Sequence, residues 1–357
     1  MADKNLSYEC ADAWKSKIQK ETARIYWIGN YYDSEVYDDT ELSAETVDIL
    51  VNKCADVFRG FQLKDKPIVL YLPNVLQLPI TVLAALRIGL TVLPITATNE
   101  DVGSLRDILR NSGADTVVTI DGFWMGTRLI RTKELLDAAI TDIAIERVLV
   151  IRHVSPDEGI PPPQVNLTGR RPYYLYKVAM KQKRDLWWSG FFQKASSSCK
   201  PKAVPSESIT LLLPTRSTSS TAVLLPISLE MLQTDISHVQ TVLHPNELSL
   251  IISTTNVFHQ IICILAALKS GAIPLIYESD IRHPDPSRTS QIIYTYKVVK
   301  LLIAEKDLSL LMEYKQYMTL WDLKTLREIV VLGSNKLCEQ AKEIFGVPCR
   351  NINPTPI

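Results

Sequence analysis

Between the apolar runs that begin at Leu211 and end near Ser228 lies the stretch Pro214-Thr-Arg-Ser-Thr-Ser-Ser-Thr-Ala-Val223, dense in hydroxyl groups. A loop of this outline holds phosphate when glycines let backbone N–H groups turn inward at φ > 0 and lysine supplies charge. From Thr215 to Ala222 there is neither glycine nor lysine. Thr215, Ser217 and Thr218 can donate hydroxyl hydrogen bonds worth about 0.5–1.5 kcal/mol each, roughly half a charge-assisted bond. That is too little to hold a triphosphate. Arg216 supplies one positive charge but no backbone freedom.

Other catalytic patterns find little support. His153, His238, His244, His259 and His283 lie apart, with no H-E-x-x-H or His–Cys spacing, so no metal-ligating or catalytic residues are assigned. There is no G-x-S-x-G elbow. The acid pairs Asp33 and Glu35, and Asp38 and Asp39, fall in a polar run before a helix, where solvation or capping is expected.

At 357 residues the chain exceeds the size at which one core usually stops growing, so two packed subdomains are expected. Hydrophobic residues make up 46%, charged residues 22%, and the formal net charge is +0, which gives no general reason to expect nucleic acid or an acidic membrane as partner. Six cysteines without a C-x-x-C pair, and no apolar signal segment after Met1, point to a reducing, cytoplasmic setting. The Asn166-Leu-Thr sequon is then idle. Leu78 to Ile95 is apolar enough to suggest a membrane span. Arg87 near its centre would cost at least about 2.5 kcal/mol in a bilayer, so a buried helix followed by a strand fits better.

The elements that must position the loop follow a β-α-β rhythm. Strands are expected at Ile68–Leu72, Thr91–Ile95, Thr116–Ile120 and Arg147–Ile151, with helices over about Val75–Ile88 and from about Asp101. Gly89 and Gly113 stand where helix ends need the left-handed conformation. The second half repeats the plan with strands near Thr210–Leu213, Leu248–Ile252, Ala272–Tyr277, Val298–Ile303 and Glu328–Leu332. An echo in the letters, Leu83-Ala-Ala-Leu-Arg-Ile-Gly89 against Leu265-Ala-Ala-Leu-Lys-Ser-Gly271, supports two similar α/β subdomains with mostly parallel sheets. The division reads as 1–153, a Pro-, Ser- and Lys/Arg-rich linker at 154–208, and 209–357. The linker carries Pro161-Pro-Pro163 and mixes Arg170, Arg171, Lys177, Lys181, Lys183 and Arg184 with Tyr173, Tyr174 and Tyr176. A solvated connection is the expected role, with Trp187 and Trp188 packing it onto a subdomain.

In this order of elements the chain resembles the large N-terminal domain of AMP-forming acetyl-CoA synthetases, in the adenylate-forming superfamily. The resemblance is carried by Ile68-Val-Leu-Tyr-Leu-Pro-Asn74, Leu83-Ala-Ala-Leu-Arg-Ile-Gly89, Ile108-Leu-Arg-Asn-Ser-Gly113, Asp185-Leu-Trp-Trp188 and His283-Pro-Asp-Pro-Ser-Arg288, all in the family's order. It covers most of residues 24–351. It implies an enzyme that joins acetate to ATP, releases pyrophosphate and passes the acetyl group to CoA, with ATP, magnesium and CoA as its ligands.

The same resemblance exposes departures at functional positions. The family's phosphate loop reads Thr-Ser-Gly-Ser-Thr-Gly-Lys-Pro-Lys-Gly, and Pro214–Val223 keeps only Ser217 and Thr218 unchanged. Thr215, Arg216, Ser217 and Thr218 are thus a remnant phosphate loop. The Tyr-Arg-Gly-Gly-Lys loop at the CoA entrance appears as Trp124-Met-Gly-Thr-Arg128, which leaves Gly126 and Arg128 as its remnant. The Gly-Glu-Pro segment that borders adenine corresponds to Asn335-Lys336-Leu337, the Ala-Pro-Thr turn to Ala304-Glu305-Lys306, and the Asp-Thr-Trp-Trp-Gln-Thr-Glu segment to residues 351–357. The sequence stops before the position of the family's small C-terminal domain. Three outcomes are in view: an inactive acetyl-CoA synthetase-like protein with a binding or regulatory role, its partner an intact acyl-CoA synthetase or another protein; a working acetate–CoA ligase; or a truncated product without function. The first is the expectation, with no cofactor assigned.

Overall fold

Runs of β-branched and aliphatic residues only five long, each bounded by a helix cap, give strands that are buried on both faces, and most strands of this chain are of that kind. The computed structural model describes residues 5–32, 37–63, 65–98, 100–154, 177–216, 222–333 and 335–354. In the first half the strands are β1 (Ala23–Tyr32), β2 (Tyr37–Ser43), β3 (Ile68–Leu72), β4 (Val92–Thr96), β5 (Thr116–Ile120), β6 (Phe123–Met125), β7 (Arg128–Ile130), β8 (Arg147–Ile151) and β9 (Asp185–Trp187). The second half adds β10 (Ile209–Arg216), β11 (Ala222–Ser228), β12 (Leu248–Ile252), β13 (Ile273–Tyr277), β14 (Lys300–Ala304), β15 (Glu328–Leu332) and β16 (Cys349–Ile352).

Two seven-stranded sheets result, ordered β11-β10-β4-β3-β5-β8-β9 and β16-β15-β14-β12-β13-β1-β2. In each, six strands are parallel and one edge strand, β11 or β2, is antiparallel. This is the α/β architecture with two similar, mostly parallel sheets that the sequence implied. Parallel strands need helices on both faces, and their uninterrupted apolar letters follow from that double coverage.

The two echoed segments lie on helices Gln77–Ile88 and Val257–Ser270, which pack against each other. Every residue from Leu78 to Arg87 is buried, as expected for a helix that is apolar all round because it faces protein on every side. Gly89 and Gly271 end these helices at φ 73° and 77°, and each chain then enters a buried strand. Arg87 resolves the suspicion of a membrane span. Its guanidinium makes a two-pronged ion pair with Asp12, at 2.6 and 3.0 Å, and donates to the Cys199 carbonyl at 2.5 Å. Among the described residues no helix is long and apolar enough to cross a membrane.

Sheet membership runs across the division of the chain at 153 and 208. Strand β10, which the sequence places at the head of the second half, pairs in parallel with β4 in the first half's sheet and brings β11 with it. In return β1, from the chain's start, pairs with β13 and carries β2 to the edge of the second sheet. An exposed strand edge leaves backbone groups unpaired, and these exchanged hairpins cover the edges of β4 and β13. Of the 154–208 stretch, residues 155–176 lie outside the described residues. The rest is anchored: Trp188 packs on Phe58 and Phe192, and Arg184 bonds Asp137 and Asp185.

Candidate functional site

At the two described ends of the hydroxyl-rich stretch, β10 and β11 pair Thr215 with Val223 and Arg216 with Ala222. Ser217 and Thr218 lie outside the described residues, as does the side chain of Arg216. Thr215 Oγ1 donates to the Val223 carbonyl at 3.2 Å. A threonine hydroxyl has one proton to give, and a phosphate oxygen needs donors, so this bond across the hairpin leaves Thr215 with only an acceptor for any anion.

The hairpin walls a cavity of about 560 Å³ together with Thr96 at the end of β4, Thr98 just beyond it, Ser104 on helix Val102–Ser112, Thr255 beyond β12 and Lys306 beyond β14. This is the crevice outside the carboxyl ends of parallel strands, where open α/β sheets accept ligands. Some of its hydroxyls are already engaged. Thr98 Oγ1 donates to the Thr254 carbonyl at 3.0 Å, and Thr96 Oγ1 accepts the Val257 amide at 3.3 Å. Asp101 caps the helix by accepting from the Gly103 and Ser104 amides. Lys306 is the lysine on the wall; it is exposed and forms no ion pair among the described residues. The sequence marked it only as a departure from the family's Ala-Pro-Thr turn. That it faces the cavity depends on how β14 sits beside β12, which no local pattern records.

Gly126 turns the β6–β7 hairpin at φ 63°, a conformation that favours glycine. The Asn30 side chain grips its peptide from both sides: Nδ2 donates to the Gly126 carbonyl at 2.9 Å and Oδ1 accepts the Gly126 amide at 2.8 Å. Ser279 Oγ also accepts that amide, at 3.2 Å. Asn30 comes from β1 and Ser279 follows β13, so the small hairpin is fastened to the second sheet. Arg128 pairs with Glu100 near the surface. Met125 borders a crevice of about 10 Å³ that shares Thr96 and Thr98 with the larger cavity. Thr215 and Met125, one residue from each remnant stretch, thus line two hollows that share Thr96 and Thr98.

At the back of that crevice lies a polar junction that the sequence did not reveal. His153 Nε2 is 2.7 Å from Glu278 Oε1, and the imidazole stands edge-on to Trp27. The buried carboxylate of Asp121 accepts the amides of Gly122, His153 and Val154 and fixes the chain leaving β8. Asp307, next to Lys306, accepts the amide and hydroxyl of Thr254, while burial pushes its carboxyl above the usual range. Among the described residues no three His, Cys, Asp or Glu side chains gather as a metal site would require. Among the described residues the wall offers the Lys306 ammonium and the hydroxyls of Thr96, Ser104 and Thr255, beside Thr98 and Thr215, whose protons go to backbone carbonyls.

Residues 22–352 match the AMP-binding enzyme family. The chain is similar to an acetyl-coenzyme A synthetase of Pyrobaculum aerophilum, 27% identical over 343 residues, which covers 92% of this chain and 48% of that protein. An acetyl-coenzyme A synthetase of Coprinopsis cinerea is 26% identical, with 92% and 47% covered. A protein of Caenorhabditis elegans described as uncharacterized is 33% identical over 124 residues, 32% of this chain and 81% of that protein. The chain thus spans about half the length of the two synthetases.

Proposed function

From the premise that this chain belongs to the AMP-binding enzyme family and is acetyl-CoA synthetase-like, we propose that it is a catalytically inactive member whose cleft or surface serves binding. The observation that carries the reading is the Thr215 hydroxyl turned onto the Val223 carbonyl, in a loop that has exchanged glycine and lysine for Ser, Thr and Ala. Phosphoryl and acyl-phosphate chemistry rests on positioning plus neutralised charge. Among the described residues of the cleft no three acidic, His or Cys side chains gather to hold magnesium, and Lys306 is the one cation, which supports a reading without a triphosphate step. The binding role is toward a protein, an intact acyl-CoA synthetase being the expected class, in the cytoplasm; nucleic acid and membrane are not expected partners.

Lys306 favours a second reading, an acetate–CoA ligase using ATP, magnesium and CoA, because it returns one cation to the cleft. Acetate-dependent release of pyrophosphate decides between the two. The full chain with ATP, magnesium, acetate and CoA should release no more pyrophosphate than the acetate-free control. A signal above that control, abolished by Arg216→Ala or Lys306→Ala, would establish the ligase instead.

A further inference from the structure

Cys338 opens the helix Cys338–Phe345 and Cys349 opens β16, and the turn between them sets the two Sγ atoms 3.1 Å apart. A search of the sequence for C-x-x-C spacing passes over this pair, since eleven positions separate its members. Side chains that already meet across the helix and the turn after it satisfy the main demand of a disulfide, and among the described residues no other two cysteine sulfurs hydrogen-bond to each other. We propose that Cys338 and Cys349 form a covalent modification site, a dithiol that closes to a disulfide with a two-electron oxidant and binds a trivalent arsenical through both sulfurs.

Access is uneven. Cys338 is buried, whereas Cys349 is half-exposed and meets the reagent first. With hydrogen peroxide the Cys349 thiolate attacks one oxygen, the O–O bond breaks, and the departing hydroxide takes up a proton, leaving a sulfenic acid. The Cys338 thiolate then attacks that sulfur, the S–O bond breaks as the S–S bond forms, and the second hydroxide leaves as water. Two thiols and one peroxide give one disulfide and two waters. Burial, the Cys338 thiol and the carboxylates of Glu328 and Glu339 hold the Cys349 thiol well above its ordinary range. The reduced pair therefore persists until a strong oxidant arrives. Closure ties the start of the helix to the start of β16.

The test uses the full chain, reduced and then treated with hydrogen peroxide, followed by alkylation of free thiols, digestion and mass spectrometry. The expected product is a cross-linked peptide pair holding Cys338 and Cys349, two hydrogens lighter than the sum, with the other four cysteines alkylated. The melting temperature should rise and return with dithiothreitol, and Cys338→Ser or Cys349→Ser should lose both effects. Phenylarsine oxide needs no oxidation step, so on the unsubstituted chain it should protect the same two thiols from alkylation. The proposal is overturned if neither reagent protects the pair in a chain with unchanged circular dichroism, or if peroxide joins two other cysteines.

Discussion

Replacing Ala222 with lysine puts a cation back on the wall of the cleft, beside Thr215 and on the cavity that Lys306 also lines. The backbone there is already fixed, because the Ala222 carbonyl accepts from Asn111 Nδ2 at 2.8 Å and position 222 pairs with Arg216 in the hairpin. A longer side chain at this half-buried place extends into open cavity. A hydrogen bond to a charged group contributes about 1.5–3 kcal/mol, and about 1.4 kcal/mol corresponds to tenfold in affinity. The unsubstituted chain is expected to bind magnesium-ATP no tighter than about 1 mM, near −4 kcal/mol. Ala222→Lys should then tighten binding by roughly 10- to 150-fold, read by titration calorimetry at fixed salt. Micromolar affinity in the unsubstituted chain would refute the reasoning. So would a folded variant with no gain, because the cleft would then lack room or direction for a phosphate even when charge is supplied.

Two further substitutions probe the frame around the cleft. Asn30→Ala deletes both of its hydrogen bonds to the Gly126 peptide; Ser279 Oγ still accepts the amide, so only the carbonyl loses its partner, and urea unfolding should show a loss near the low end of about 1–3 kcal/mol; an unchanged midpoint would mean the clamp is idle. In Asp185→Asn, Lys133 loses a fully buried partner at 2.8 Å but keeps Asp137 at 2.6 Å, so the cost should fall near the low end of about 3–5 kcal/mol. Burial alone would push the Asp185 carboxyl up, but Arg184 and Lys133 hold it below its ordinary value. Its stabilisation is then fully present above the unfolded value of about 3.9 and is lost as pH falls through the lower folded value. The stability gap between the two proteins should narrow below pH ~4, and a gap independent of pH would contradict the assignment.

Strands buried on both faces were legible because their letters carry the signal: Ile68–Leu72, Thr116–Ile120, Arg147–Ile151, Leu248–Ile252 and Glu328–Leu332 appear with the bounds the sequence suggested. Edge strands were not. Asp38 and Asp39 read as a polar run before a helix, yet they belong to β2, an antiparallel edge strand with one solvated face; Asp39 accepts from the Tyr296 hydroxyl. The pairing of Leu211 with Val92 joins residues far apart in the chain, and nothing in the local pattern of either announces the other. For the cleft, the missing glycines and lysines were plain in the letters, whereas the commitment of the Thr215 and Thr98 hydroxyls to nearby carbonyls required coordinates. Lys306 and the His153–Glu278 contact escaped for the same reason, since each depends on which strands become neighbours.

The traded hairpins make each half of the polypeptide incomplete by itself. A fragment ending near residue 153 would present the bare edge of β4, and one beginning near residue 209 would present that of β13. Made separately, both pieces should precipitate or stick to one another; made together, they should assemble into a nicked but soluble molecule that melts in a single step. Selection acting on either half is therefore felt by the other, so a lineage could discard the chemistry of the cleft long before it could discard half of the scaffold.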